Sequence, residues 1–450
     1  MTTLQSEKPT KVRWMVFGSL LALCTVNYID RAVISICMPS IEADLHFGPA
    51  LVGVILSAFF WGYTLMQIPS GWIADRLGPG KTILGSGILW GVFQVITGFL
   101  SSSSAFMAVR ALLGASEAPI YPASSKLQSV WLTKNERTRG AAIVDAGSAL
   151  GTAIGGPLII AFLAWFGGWR GALMGAGVFT MVVVLICYKF VHTTPDTNKM
   201  INKAEREYID NALKAEYESE QMASGGRTSL GLPRYLRSVT FWGMVLGFVC
   251  YDCFWYGLMT WGPMYLSQVF KVNFMAVGGS IFIIFGCGVI GSLFGGYMID
   301  TMCMKYDPSK VVKYALAGLG IIMAIAMYLL STATSMTLAI VYMSIAMFCE
   351  KWVGATFWMM PAAISQRDDV GIVAGAMNFM GNIGGAIVPI LVGMIVTLTG
   401  SYYWAIILFM AFAIGLCIFP IGINMNKKSV PLPDYPYLAL VKTLYSMYTG

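Results

Sequence analysis

Asn27-Tyr28-Ile29-Asp30-Arg31 lies inside an apolar run from 14 to 38 that is long enough to cross a membrane. A charged side chain near the centre of a bilayer costs about 2.5–3.5 kcal/mol on insertion scales, so an adjacent acid and base there demand a reason. On a helix, neighbours point about 100° apart, and Asp30 and Arg31 cannot share one direction. Tyr28 and Arg31, three residues apart, line one face, while Asn27 and Asp30 share the next. One face is expected to look into a polar cavity and the other into a neighbouring helix. A purely structural Asp–Arg staple between helices is the alternative, and both readings stay open at this point.

The rest of the chain fits the run. Of 450 residues, 57% are hydrophobic and only 11% charged, and the mean hydropathy is +0.70. A soluble protein carries roughly 25% charged residues, which excludes a large soluble enzyme. The 49 glycines suit close helix–helix approach in lipid. Nine cysteines are scattered through apolar segments and read as buried thiols. Cys250 and Cys253 form a C-x-x-C inside an apolar run with no second pair, so packing is the better reading than metal. The run after Lys8, Lys11 and Arg13 is too long and too charged for a cleaved signal and is expected to remain as an anchor.

Apolar segments recur near 14–38, 50–74, 81–100, 104–124, 138–164 and 169–191, then near 239–266, 276–300, 310–331, 335–362, 369–398 and 402–425. The expected fold is an all-α membrane protein of twelve transmembrane helices in two pseudo-symmetric six-helix bundles. The division places one bundle at 1–191, a linker at 192–238, a second bundle at 239–428 and a tail at 429–450. Within the linker, 203–221 reads as a surface amphipathic helix followed by a flexible Gly225-Gly226 break.

Lys and Arg cluster in alternate connections, for example Arg76 and Lys81, Lys134 with Arg137 and Arg139, and Lys305 with Lys310, while the intervening connections are nearly bare. By the positive-inside rule both termini and the linker are cytoplasmic, in a cell inner membrane. The net charge of +7 is thereby topological, and nucleic acid is not needed to account for it. An internal repeat supports two bundles. Gly71…Asp75 closes the second segment and Gly296…Asp300 closes the eighth, with the same spacing. Repeated bundles with a site between them characterise secondary transporters.

Ionisable residues inside the segments are Asp30, Arg31, Arg110, Glu117, Asp145, Asp252, Glu350 and Lys351. Arg110 and Glu117, almost two turns apart, project from nearly one face. Arg31 and Arg110 lie about seven residues from the outer ends of their segments, so the two guanidiniums are expected at similar depth, able to clamp a carboxylate. Asp30 and Glu117 are then candidates for reversible protonation; a structural network is the alternative for Arg110 and Glu117. Tyr63 with Gln67, and Asn378 with Asn382, offer polar groups mid-membrane. Asp145 reads as part of the inner-end network, and Glu350-Lys351 as a buried pair or a gate. Gly71…Asp75-Arg76…Gly78…Lys81, together with Arg137 and Asp300, is assigned to gating. His46 and His192 are the only histidines, both in connections. Neither a metal-ligand cluster nor a nucleophile–base set is visible, so no cofactor, no metal and no enzymatic activity are expected.

The 71–81 motif resembles the signature of the major facilitator superfamily. Asn27-Tyr28-Ile29-Asp30-Arg31 with Arg110…Glu117-Ala118-Pro119 is similar to its anion:cation symporter branch, which carries hexonates, hexuronates, aldarates and other organic acids. The resemblance implies that Arg31, Arg110, Tyr28 and Tyr63 engage a substrate carboxylate or its hydroxyls. It also implies that Asp30 and Glu117 couple protons and that Asn378 is a contact from the second bundle. Several sugar-acid members offer a glutamine on helix 5 where this chain has Asp145 and Ser148. The expected protein is a monomeric importer of a small organic anion with protons, by alternating access. The rivals are a phosphate, sulfonate or aromatic-acid carrier, or an exchanger without proton coupling.

Overall fold

The computed structural model describes residues 8–224, 228–272 and 274–425. The first half holds α1 (Val12–Leu45), α2 (Pro49–Leu77), α3 (Pro79–Thr97), α4 (Ser103–Glu117), α5 (Ile120–Trp131), α6 (Arg137–Phe166) and α7 (Trp169–Cys187). The linker holds α8 (Lys203–Ser224) and the short α9 (Leu232–Tyr235). The second half holds α10 (Val239–Phe270), α11 (Phe274–Cys303), α12 (Pro308–Ser331), α13 (Met336–Ile364), α14 (Val370–Thr399) and α15 (Tyr403–Ile418). Ten described helices are long and apolar enough to cross a membrane. With α3, and with α4 and α5 as one broken span, the architecture is twelve transmembrane helices in two six-helix bundles.

Local chemistry sets the ends. Pro49, Pro79 and Pro308 open α2, α3 and α12, where a missing N–H costs nothing. Asp307 caps α12 by accepting from Lys310 N at 3.0 Å. Gly78, between α2 and α3, holds φ at +94°, a left-handed value that favours glycine, and a Cβ there would strike Thr193.

The fourth span departs from the expected 104–124. It breaks at Ala118-Pro119, because proline supplies no N–H to the ladder, and restarts as α5 as far as Trp131. Lys126 is thereby carried into the interior.

The two halves pair their spans alike. In the first, α1 packs on α6, α2 on α4 and α3 on α7; in the second, α10 packs on α14, α11 on α13 and α12 on α15. In order of span, both halves pair first with fifth, second with fourth and third with sixth. Between the halves, α2 meets α14 and α6 meets α11, again equivalent pairs. The closest of these contacts lie at the end where the linker runs. A Cβ on Gly71 would fall 2.1 Å from Gly371 O, so only glycine allows this approach. Further into the membrane along the same interface, Ser292 of α11 donates to Ala142 O of α6 at 3.0 Å. Toward the opposite end, Gly156 of α6 and Gly278 and Gly279 of α11 meet nothing within 4 Å.

In the linker, α8 buries Ile209 and Leu213, and Glu205 binds Arg13 at 2.6 Å and accepts from Val12 N. The expected break at Gly225-Gly226 and the 429–450 tail lie outside the described residues.

Candidate functional site

Arg31 projects from the middle of α1 with its guanidinium 4.7 Å from the Tyr28 ring and 4.4 Å from the Tyr63 ring. An aromatic face stabilises a cation when water is excluded. Arg31 Nε donates to Glu117 at 3.3 Å, and Nη1 donates to Tyr256 Oη of α10 at 3.4 Å. Its Nη2 is buried and has no partner among the described residues. Arg110 sits 4.8 Å from the Phe59 ring, which also lies 5.4 Å from Arg31, so one ring bridges the two guanidiniums. Arg110 is 3% exposed, and its Nε and Nη1 lack partners among the described residues.

Asp30 turns away from this group. Its Oδ2 accepts from Trp90 Nε1 at 3.0 Å and Thr180 Oγ1 at 2.6 Å, on α3 and α7. The adjacent acid and base on α1 thus serve different surroundings, as the helical angle requires.

Between the halves lies a narrow cavity walled mainly by aromatic side chains, among them Tyr28, Tyr63, Tyr256 and Trp358. Polar atoms reach it from Asp145, Asp252 and Asn378. Tyr256 Oη donates to Asn382 at 3.1 Å, and Asn378 donates to Gln67 of α2 at 2.8 Å, joining the two halves. Below it, Lys351 of α13 reaches Asp145 of α6 at 3.4 Å and donates to Tyr251 Oη at 3.0 Å. Tyr251 and Ser292 also donate to Asp145. Asp145 is therefore a bridge between the halves at the floor of the cavity, not a member of the network at the linker end; it points across the interface because α6 packs on α11 and α13.

At the linker end the contacts between halves are polar and numerous. Asp75 accepts from the N–H groups of Gly371 and Ile372 at 2.9 and 2.8 Å. Lys126 reaches Asp75 at 3.2 Å and also donates to Arg367 O. Asp300 accepts from Thr138 N and Arg139 N, each at 3.0 Å, and from Arg139 Nε. Arg137 holds Glu216 of α8 through two bonds of 2.8 and 2.7 Å and donates to Ala362 O at 3.0 Å. Arg76 and Lys81 are exposed, with Arg76 over the Trp72 ring at 5.7 Å.

The sequence model of the Major Facilitator Superfamily matches residues 20–389, from α1 into α14. The chain belongs to the Major Facilitator Superfamily. It is accordingly a multi-pass membrane transporter and not an enzyme. Among its relatives within this superfamily, the probable galactarate/D-glucarate transporter GudP of Escherichia coli is 28% identical over 411 residues, 89% of this chain and 91% of that one. The probable sulfoacetate transporter SauU of Cupriavidus necator is 27% identical over 395 residues, 87% and 89% of the two chains. The solved structure of the proton:xylose symporter XylE covers 92% of this chain and 99% of its own, with a TM-score of 0.69 and 13% identity, a likeness of fold.

Within this superfamily fold, Tyr28, Tyr63 and Glu117 gather around Arg31, Phe59 joins Arg31 to Arg110, and Tyr28, Tyr63 and Asn378 line the cavity. Arg31, Arg110, Glu117 and Asp30 do not line it; Arg31 meets its wall from behind, through Tyr28, Tyr63 and Tyr256. Sequence reasoning assigns no substrate or coupling role to Asp145, Asp252 or Lys351, reads Tyr256 only as one of the aromatic residues of the seventh span, and does not single out Lys126. Ionisable residues within apolar runs were the available signal for the first three. Lys126 was hidden because the fourth span was expected to end at 124.

Proposed function

We propose that this protein imports an organic anion of the sugar-acid class together with protons. The observation that carries the reading is Arg31: a buried guanidinium, stacked on Tyr28 and Tyr63 beside the inter-bundle cavity, with Nη2 unpartnered. A planar fork held this way suits a carboxylate. Tyrosine and asparagine hydroxyl and amide groups around it suit a hydroxylated carbon chain. The names of relatives such as GudP favour the same class.

In this reading the carboxylate takes the place of Glu117 on Arg31, and the released Glu117 accepts a proton; Arg110 keeps the surroundings positive and Tyr63 and Asn378 orient the chain. Asp30, held by Trp90 and Thr180, is the second proton-coupling acid, acting through the position of α1 and not by touching substrate. Residues 1–191 and 239–428 move as the two bodies, joined by 192–238, while Gly71, Asp75, Arg137 and Asp300 close the linker end. Arg76 and Lys81 contribute to gating through their positive charge at the membrane surface. Lys and Arg clustered at the linker end support a cytoplasmic linker end in a cell inner membrane, with both termini inside. The conformation described is then outward-facing, and the transporter works as a monomer.

Uptake into proteoliposomes tests this. An inward proton gradient should drive accumulation of a hexonate, hexuronate or aldarate, and Arg31→Ala should abolish it. Failure of every such acid to accumulate, with phosphate or a sulfonate carried instead, would overturn the substrate class.

A further inference from the structure

Asp252 and Tyr256 stand one turn apart on one face of α10, and both line the cavity between the halves. Tyr256 touches Arg31 Nη1, so Asp252 lies about 6 Å further along the helix axis from the guanidinium's contact. Asp252 is 6% exposed, and its Oδ2 is buried without a hydrogen-bond partner among the described residues. A buried carboxylate left short of donors is destabilising, so a ligand that brings donors to Asp252 from the cavity is favoured. Asp252 thus lines the cavity, with its Oδ2 against Gly381 of α14, and Arg31 stands behind Tyr28, Tyr63 and Tyr256 of the cavity wall.

The cation on this side, Lys351, is already engaged by other groups. Lys351 is buried, with Asp145 at 3.4 Å, Tyr251 Oη at 3.0 Å, Glu350 at 3.8 Å and the Trp255 ring centroid at 3.4 Å. It already faces two acids. On this side of the site Asp145, Asp252 and Glu350 outnumber the single Lys351, whereas Arg31 and Arg110 match Asp30 and Glu117 on the other.

Building on the organic-anion reading, we propose that the substrate is a monocarboxylic hydroxy acid and that Asp252 is a specificity-determining residue. The carboxylate pairs with Arg31, and distal hydroxyls donate to Asp252. A second carboxylate at the distal end would face Asp252 with Asp145 nearby, and like charges placed together reject the wrong ligand. The selectivity thus runs against the diacids after which GudP is named.

Purified full-length protein is titrated with D-galactonate, with galactarate and with hexanoate, and ligand-induced thermal stabilisation is followed. Galactonate should act at concentrations at least about tenfold below galactarate, and hexanoate, which lacks hydroxyls, should be weaker than galactonate by a similar factor. Asp252→Asn should narrow the galactonate–galactarate gap. Galactarate binding as tightly as galactonate in the wild type would overturn the inference while leaving the organic-anion reading intact. A wild-type gap that Asp252→Asn leaves unchanged overturns the role of Asp252. Absence of any response to both sugar acids overturns the sugar-acid reading and this inference together. Should Asp252→Asn fail to fold, the wild-type ratio alone decides the selectivity, and Asp252→Glu, which keeps the charge, should preserve it.

Discussion

Asp75 and Asp300 occupy the same register in the two halves of the chain. Each stands near the end of its bundle's second span and accepts from the second and third N–H groups of a helix in the other bundle: Gly371 and Ile372 of α14 for Asp75, Thr138 and Arg139 of α6 for Asp300. The first N–H groups of a helix have no intrahelical partner and carry its positive pole, so a carboxylate there satisfies donors and charge at once. The glycine four residues earlier lets the backbones approach closely enough for the cap to form. The repeated Gly-x-x-x-Asp is one locking device used twice.

Removing either cap should loosen the linker end. Asp75→Asn and Asp300→Asn each exchange a charge-assisted pair of bonds for a neutral one, at a cost of about 1–3 kcal/mol. Maleimide labelling of a cysteine placed at Ser292, in a background lacking the nine native cysteines, should rise about tenfold or more in Asp300→Asn. Unchanged labelling would show that the cap does not hold the halves together.

Arg31→Lys should not rescue binding. A lysine offers no planar fork to lie against Tyr28 and Tyr63, and ligand affinity is expected to fall by about a hundredfold, near the loss in Arg31→Ala. Isothermal titration with galactonate measures it. A lysine variant within about twofold of wild type would show that only the charge matters.

Glu117→Gln should separate exchange from accumulation. The amide still fills the place beside Arg31 Nε but takes up no proton, so counterflow persists while uptake driven by a pH gradient stops. Gradient-driven uptake equal to wild type would remove Glu117 from the coupling step.

Lys351→Met should destabilise the protein by about 3–5 kcal/mol, because it strands Asp145 in the interior without a counter-ion. Asp145→Asn combined with Lys351→Met should recover most of that loss. Thermal unfolding in detergent compares the three variants; a double variant no more stable than Lys351→Met would argue against a coupled pair.

Much of this arrangement was written in the chain as local chemistry. The apolar segments, the basic connections and the Gly-x-x-x-Asp repeat each follow from what a bilayer demands of a backbone and of charge, demands that act residue by residue. The likeness of depth between Arg31 and Arg110 was also legible, since both are counted from the ends of rigid helices, and in the fold one ring of Phe59 touches both. The path of the fourth span was not. Whether Pro119 ends a helix or only breaks it depends on what receives the chain beyond, and here α5 finds α14 and α13 to pack against.

What the sequence determined by itself is the number of spans, their grouping and the presence of charges that lipid cannot tolerate. What only the tertiary structure decided is where each charge points. Asp30 goes to Trp90 and Thr180, Asp145 crosses to Lys351, and Asp252 Oδ2 has no partner among the described residues, because partners come from helices distant in the chain. Helical periodicity fixes directions around one axis; the rotation of each helix against its neighbours is set by packing of side chains along its whole length, which no single segment encodes.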